Sequence, residues 1–120
     1  MENTATKILV VDDDINLVSL WSELLEYEGY QVETVYSGNA AVNSAESNGC
    51  DLILLDIMLP DIDGITVCHK LRNNPQTKDM PIVLMSASDA LREKGKECAD
   101  ATLAKPFDLA RLLMLIDELI

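Results

Sequence analysis

Aromatic residues make up only 4% of the sequence, with a single Trp and a single Phe. A core must therefore be assembled from aliphatic side chains, and the 48% hydrophobic content supplies them. His69 is the only histidine. With no Cys or carboxylate at a ligand spacing, it reads as a surface residue of a helix rather than a metal ligand. Basic residues are scarce: nine against 21 acidic ones, a net charge of -12. That balance argues against a basic footprint for nucleic acid or an anionic membrane, and leaves cationic or apolar partners. Cys50, Cys68 and Cys98 are odd in number and far apart, without CxxC or His-Cys spacing. They read as reduced, mostly buried thiols of a cytoplasmic protein. No apolar run approaches membrane-spanning length, and MENTATK lacks the apolar segment of a signal peptide. A soluble, cytoplasmic chain without membrane contact is expected.

What is present fits one ordinary domain, 1–120, with residues 1–6 as a polar leader and no room for a second domain. The stretch Asp51-Leu-Ile-Leu-Leu-Asp56-Ile-Met-Leu-Pro60-Asp-Ile-Asp63-Gly64 organises the rest. Four aliphatic residues in a row are too few for a helix and suit a strand covered on both faces, as in a parallel sheet flanked by helices. Asp56 would then stand at the carboxyl end of that strand, where open parallel sheets place their ligands.

The other segments follow the same alternation. Lys7–Val11 reads as a strand stopped by Asp12-Asp13-Asp14, with Asp14 capping a helix that carries Leu17, Leu20, Trp21, Leu24 and Leu25 and stops at Gly29. Trp21 is assigned to the core. Tyr30–Val35 is a second strand, and a helix runs from Asn39 to about Asn48. After the strand ending at Asp56, a third helix starts near Asp63-Gly64 and yields to Asn73-Asn74-Pro75-Gln76-Thr77. Pro81–Met85 is the fourth strand, ending at Ser86-Ala87-Ser88. From about Asp89 to Ala99 lies a charged helix with few apolar anchors, the weakest packing in the chain. Ala101–Ala104 is a short fifth strand, and Lys105-Pro106-Phe107 precedes a helix from Asp108 to Leu119. The expected fold is α/β and flavodoxin-like: a doubly wound, five-stranded parallel sheet in order 2-1-3-4-5 with five helices.

In that order Asp12 to Asp14, Asp56, Ser86 and Lys105 share one edge of the sheet. Carboxylates crowded in a crevice repel one another, which raises the pKa of some unless a cation joins them. Oxygen ligands with open positions suit Mg²⁺, which keeps waters and takes phosphate oxygens.

Ile8-Leu-Val-Val-Asp12-Asp13, Leu55-Asp56-Ile-Met-Leu-Pro60-Asp61 with Asp63-Gly64, Met85-Ser86-Ala87 and Lys105-Pro106-Phe107 together resemble the response regulator receiver domain of two-component signalling, from about Lys7 to Leu119. The resemblance implies a phosphorylation-activated switch. Asp56 would accept a phosphoryl group from a sensor histidine kinase or phosphotransfer protein. Mg²⁺ would be held by Asp13 and Asp56, by Asp12 mostly through water, and by the backbone carbonyl of Met58. Lys105 and Mg²⁺ would neutralise the transferring oxygens, and the Ser86 hydroxyl would bond one of them, with small Ala87 leaving room. Lys105-Pro106 resembles the family's cis peptide. Such a domain catalyses its own phosphorylation and hydrolysis but is not an enzyme acting on an outside substrate. Its helix 4, strand 5 and helix 5 face would control a downstream protein target or support a homodimer, without direct nucleic acid binding. The chain would be a stand-alone regulator or a receiver from a larger protein.

One position departs from the family. Thr102 stands where many receivers carry Tyr or Phe as a switch reporter. Either Ser86 and the fourth helix still respond, or the switch is muted. A constitutive pseudo-receiver acting as an interaction module is therefore the alternative reading. A flavin carrier of the same strand order is the third, although it would need hydroxyls and N–H groups where this chain has carboxylates. In the last helix Leu109, Leu112, Leu113, Met114, Leu115, Ile116, Leu119 and Ile120 spread over more than one face, fitting a wide buried face or a partner surface equally. Met58 and Ser88 are positions that could tune hydrolysis.

Overall fold

The computed structural model describes residues 6–120 of the chain. Of the expected leader only Thr6 falls within them; its carbonyl accepts the N–H of Gln31. Five strands, β1 (Lys7–Val11), β2 (Gln31–Val35), β3 (Leu52–Asp56), β4 (Ile82–Ser86) and β5 (Ala101–Ala104), form one parallel sheet in the order β2-β1-β3-β4-β5. Four helices connect them, α1 (Ile15–Tyr27), α2 (Gly38–Asn48), α3 (Gly64–Arg72) and α4 (Asp89–Gly95), and a fifth, α5 (Leu109–Leu119), follows β5. This is the doubly wound architecture expected.

Strand parity sorts the core into two layers. Leu9, Val11, Ile53, Leu55, Ile82 and Leu84 face α2, α3 and the α4 side. Ile8, Val10, Leu52, Leu54, Val83 and Met85 face α1 and α5. Because both faces are covered, every residue of β3 and β4 is buried, which is why these strands read as unbroken apolar runs. Truncating one of these leucines to Ala would cost about 2–5 kcal/mol. The edge strand β2, with sequence QVETV, is only partly covered. Trp21 is buried as assigned and stacks on Phe107 with ring centroids 4.5 Å apart. His69 is exposed. The helix α5 buries Leu112, Leu115 and Ile116, while Leu109, Leu113 and Leu119 pack half-buried on the same layer. Its breadth is thus mostly core, with Met114, and Ile120 just past the helix end, left exposed.

All five helices begin at a side-chain cap. Asp14, Ser37, Asp63, Ser88 and Asp108 accept the N–H of Leu17, Ala40, Thr66, Leu91 and Arg111 respectively. Each such cap contributes about 1 kcal/mol and fixes where the chain leaves the sheet edge.

Two expectations are corrected. First, α4 ends at Gly95 rather than near Ala99. The N–H groups of Cys98 and Ala99 both donate to the Gly95 carbonyl, closing the helix in a turn that directs Cys98 inward. Second, Cys68 and Cys98 are not separate reduced thiols but a disulfide, with Cα atoms 6.2 Å apart. Both lie in the layer beneath α3 and the α4–β5 turn, so neighbours in space are 30 residues apart in sequence. Cys50 remains free, and burial pushes its thiol up to about 11. Arg72 reinforces the same junction: it donates to the carbonyls of Lys78, Met80 and Cys98 and to Asp100. Among the described residues no helix is long and apolar enough to cross a membrane.

Candidate functional site

The sheet register aligns the strand ends. Val11 lies beside Leu55, Asp56 beside Met85, and Ser86 beside Ala104. The residues that follow, Asp12 and Lys105, therefore emerge at the same edge as Asp56. The switch between the rightward and leftward halves of the sheet falls between β1 and β3, and the crevice opens there.

Carboxylate oxygens of Asp12, Asp13 and Asp56 lie within 4.8 Å of one another. The Lys105 ammonium donates to Asp12 Oδ2 at 2.6 Å and to Asp56 Oδ2 at 3.2 Å. These groups, with Asp14 and Met58, line an open cleft of about 460 Å³. Asp12 and Asp56 are buried, whereas Asp13 is exposed at the mouth. The remaining oxygens have backbone partners: Asp12 Oδ1 accepts the N–H of Asp14, and Asp56 Oδ1 accepts that of Met58. The side chain of Met58 points to solvent.

Burial, and then the charge of Asp12, push the Asp56 carboxyl above the usual aspartate range, with Lys105 opposing. Burial pulls the Lys105 ammonium down, but its hydrogen bond to Asp12 and the charges of both aspartates outweigh that and hold it above the usual lysine value. Three carboxylates against one ammonium leave an excess of two negative charges when all are ionised. A hard divalent cation matches both that excess and the all-oxygen donor set, so the residues present fit Mg²⁺.

Ser86 is buried next to this cleft rather than lining it. Its hydroxyl accepts the Ser88 N–H, and its carbonyl accepts the Lys105 N–H. Thr102 is not part of the cluster. It is half-buried on β5 and lines a second cleft, of about 470 Å³, between α4 and α5. Lys105-Pro106 is cis, as the resemblance implied. Two residues were given no role from the sequence, although Asp61 stands in one of the motifs. Arg92 donates from Nη1 to the Ser86 carbonyl at 2.7 Å, and Asp61 accepts the N–H groups of Gly38 and Asn39, both at 2.8 Å. Nothing in the local pattern marks either, because each reaches across to another element.

The fold and this acidic, lysine-bridged cleft at the switch point define a signalling receiver rather than a flavin carrier. The response regulator receiver domain model matches residues 8–117, and the chain belongs to that family. It is 41% identical over 111 residues to the response regulator ArlR of Staphylococcus saprophyticus, a match covering 90% of this chain and 49% of ArlR. The chain spans about half the length of such curated relatives, or less. Among solved structures, the response regulator TrrA of Thermotoga maritima in complex with Mg²⁺-BeF superposes with a TM-score of 0.89 at 34% identity, covering 96% of this chain and 99% of that one. The receiver domain of the sensor histidine kinase PA1611 of Pseudomonas aeruginosa, with a magnesium ion coordinated in its active-site cleft, superposes with a TM-score of 0.89 at 30% identity, covering 97% and 98%.

Proposed function

We propose that this receiver is a phosphorylation-driven switch whose phosphoacceptor is Asp56, with a sensor histidine kinase or phosphotransfer protein as donor. The observation that carries the reading is the Lys105 ammonium bridging Asp12 and Asp56 inside a three-carboxylate cluster. An Oδ atom of Asp56 bonds to phosphorus as the donor's bond to phosphorus breaks, leaving an aspartyl phosphate. Lys105 is already within reach of that oxygen and is a compact charge suited to the phosphoryl group. The Ser86 hydroxyl accepts from Ser88, so its own proton is free to be donated to a phosphoryl oxygen once the β4–α4 turn moves in.

Asp12, Asp13 and Asp56 would hold Mg²⁺, with the Met58 backbone carbonyl as the further ligand that the resemblance implies. When bound, the cation would neutralise both the carboxylates and the incoming phosphoryl oxygens. The magnesium in the cleft of the PA1611 receiver and the Mg²⁺-BeF complex of TrrA support that assignment. The domain turns over no outside metabolite: it catalyses its own phosphorylation and hydrolysis. Its readout is a change in the α4, β5 and α5 face presented to a downstream protein or to a second copy of this chain. Direct DNA contact by this domain is disfavoured by the net charge of -12.

Intact-protein mass after incubation with acetyl phosphate and Mg²⁺ tests the reading. One phosphoryl adduct is expected, absent without Mg²⁺ and absent in Asp56→Asn. An adduct that persists in the variant, or none in the wild type together with no beryllofluoride binding, would overturn it.

A further inference from the structure

With Thr102 on β5 in place of an aromatic, the link from the phosphoacceptor edge to α4 is open to another side chain. Arg92 is placed to make it. It stands in the second turn of α4, and its guanidinium reaches back to the Ser86 carbonyl at 2.7 Å while also pairing with Asp89. The same carbonyl accepts the Lys105 N–H at 3.1 Å. One backbone oxygen thus joins the end of β4, the lysine-bearing loop and α4.

The two ends of α4 are held very differently. Beyond its carboxyl end, Cys98 is bonded to Cys68, and the Cys98 carbonyl accepts from Arg72 Nε at 3.0 Å. The last helical residue, Gly95, is buried so tightly that a Cβ there would lie 2.6 Å from Leu84 Cδ1. At the amino end, Asp89 and Ala90 are exposed, and only Leu91 and Arg92 are half-buried. The first turns are therefore tethered to the sheet chiefly through Leu91, the Ser88 N–H bond to Ser86 Oγ and the Arg92 bond to the Ser86 carbonyl. Arg92 also borders the cleft of about 470 Å³ beside Thr102, which gives its guanidinium room to shift.

We infer that Arg92 is the positioning residue that carries phosphorylation at Asp56 to the α4 face. The inference rests on the proposed phosphoryl switch. When Ser86 is drawn toward the phosphoryl group, its carbonyl moves with it. The charged bond makes Arg92 follow, so the amino-terminal turns of α4 move into the cleft beside Thr102 while the carboxyl end stays fixed. The movement is an ordering of a loosely held segment.

Hydrogen exchange with and without Mg²⁺ and beryllofluoride, read beside acetyl phosphate adduct formation, tests this on the wild type, Arg92→Ala, Arg92→Lys and Asp89→Asn. In the wild type, exchange at residues 89–95 slows by about fivefold and residues 98–100 are unchanged. Arg92→Ala forms the adduct at the wild-type rate, yet its slowing falls below about twofold. Asp89→Asn behaves like the wild type. A wild-type response in Arg92→Ala, or loss of its adduct, would overturn the inference. Should α4 of free Arg92→Ala exchange as an unprotected segment, Arg92→Lys decides. A response cut to roughly half, from an ammonium that keeps the charge but lacks the planar fork that holds the Ser86 carbonyl and Asp89 together, supports the role, and an undiminished one contradicts it. A wild type that forms the adduct without a change at 89–95 sinks this inference alone; a wild type that forms none sinks the switch as well.

Discussion

A Cβ built on Gly64 would lie 2.4 Å from the Asp56 carbonyl oxygen and 2.8 Å from the Ile57 Cα. Both are backbone atoms, so no side-chain rotation relieves the clash, and the Gly64 N–H donating to the Ile57 carbonyl locks the approach. The glycine lets α3 start directly under the loop that aims Asp56. Gly64→Ala is expected to destabilise the domain by about 1–3 kcal/mol in urea unfolding and to slow adduct formation by displacing that loop. A variant with unchanged midpoint and rate would show that the close approach is dispensable. At this scale the sequence is readable where chemistry follows an apolar run. Asp12, Asp56 and Ser86 could be placed because each ends or directly follows a strand whose burial is visible in its own composition, and Lys105 because it follows the short fifth strand. Arg72, Arg92 and the Cys68–Cys98 pair could not. Long side chains and a disulfide join segments whose separation in sequence says nothing about their distance in space.

Each helix has one local cap, but α2 has a second device from across the molecule. Besides Ser37, the Asp61 carboxylate accepts the N–H groups of Gly38 and Asn39. Those two bonds, Asn39 first, hold its pKa down to about 2 from an ordinary 3.8. The sign follows from linkage: a depressed carboxyl stabilises the fold above its ordinary value and loses that contribution as pH falls through the folded one. Asp61→Asn should therefore unfold at lower urea than the wild type near neutral pH. The gap should close as pH drops from 3.8 towards about 2. A gap independent of pH would mean that the carboxylate charge is not what matters. Helix boundaries were legible wherever a capping residue preceded an apolar repeat. The end of α4 was not, because its stop is a turn on the Gly95 carbonyl combined with the tertiary pull of Cys98, and the charged stretch that follows has the composition of a continuing helix.

Across the whole molecule, parity of the strands builds two apolar layers, register aligns the strand ends, and that alignment concentrates three carboxylates and one lysine at a single edge. Strand order and the acidic crevice were legible together because a right-handed, doubly wound topology leaves only one place for Asp12, Asp56 and Lys105 to meet. The functional claim is that the crevice directs a phosphoryl group to one carboxylate among three. The most direct measurement is borohydride reduction of the acetyl phosphate-treated protein, which converts an acyl phosphate to the alcohol, followed by peptide mass mapping. The account predicts homoserine at position 56, only when Mg²⁺ was present, with Asp12 and Asp13 unmodified. Reduction product at Asp12, Asp13 or any other carboxylate, or at position 56 without Mg²⁺, would contradict it.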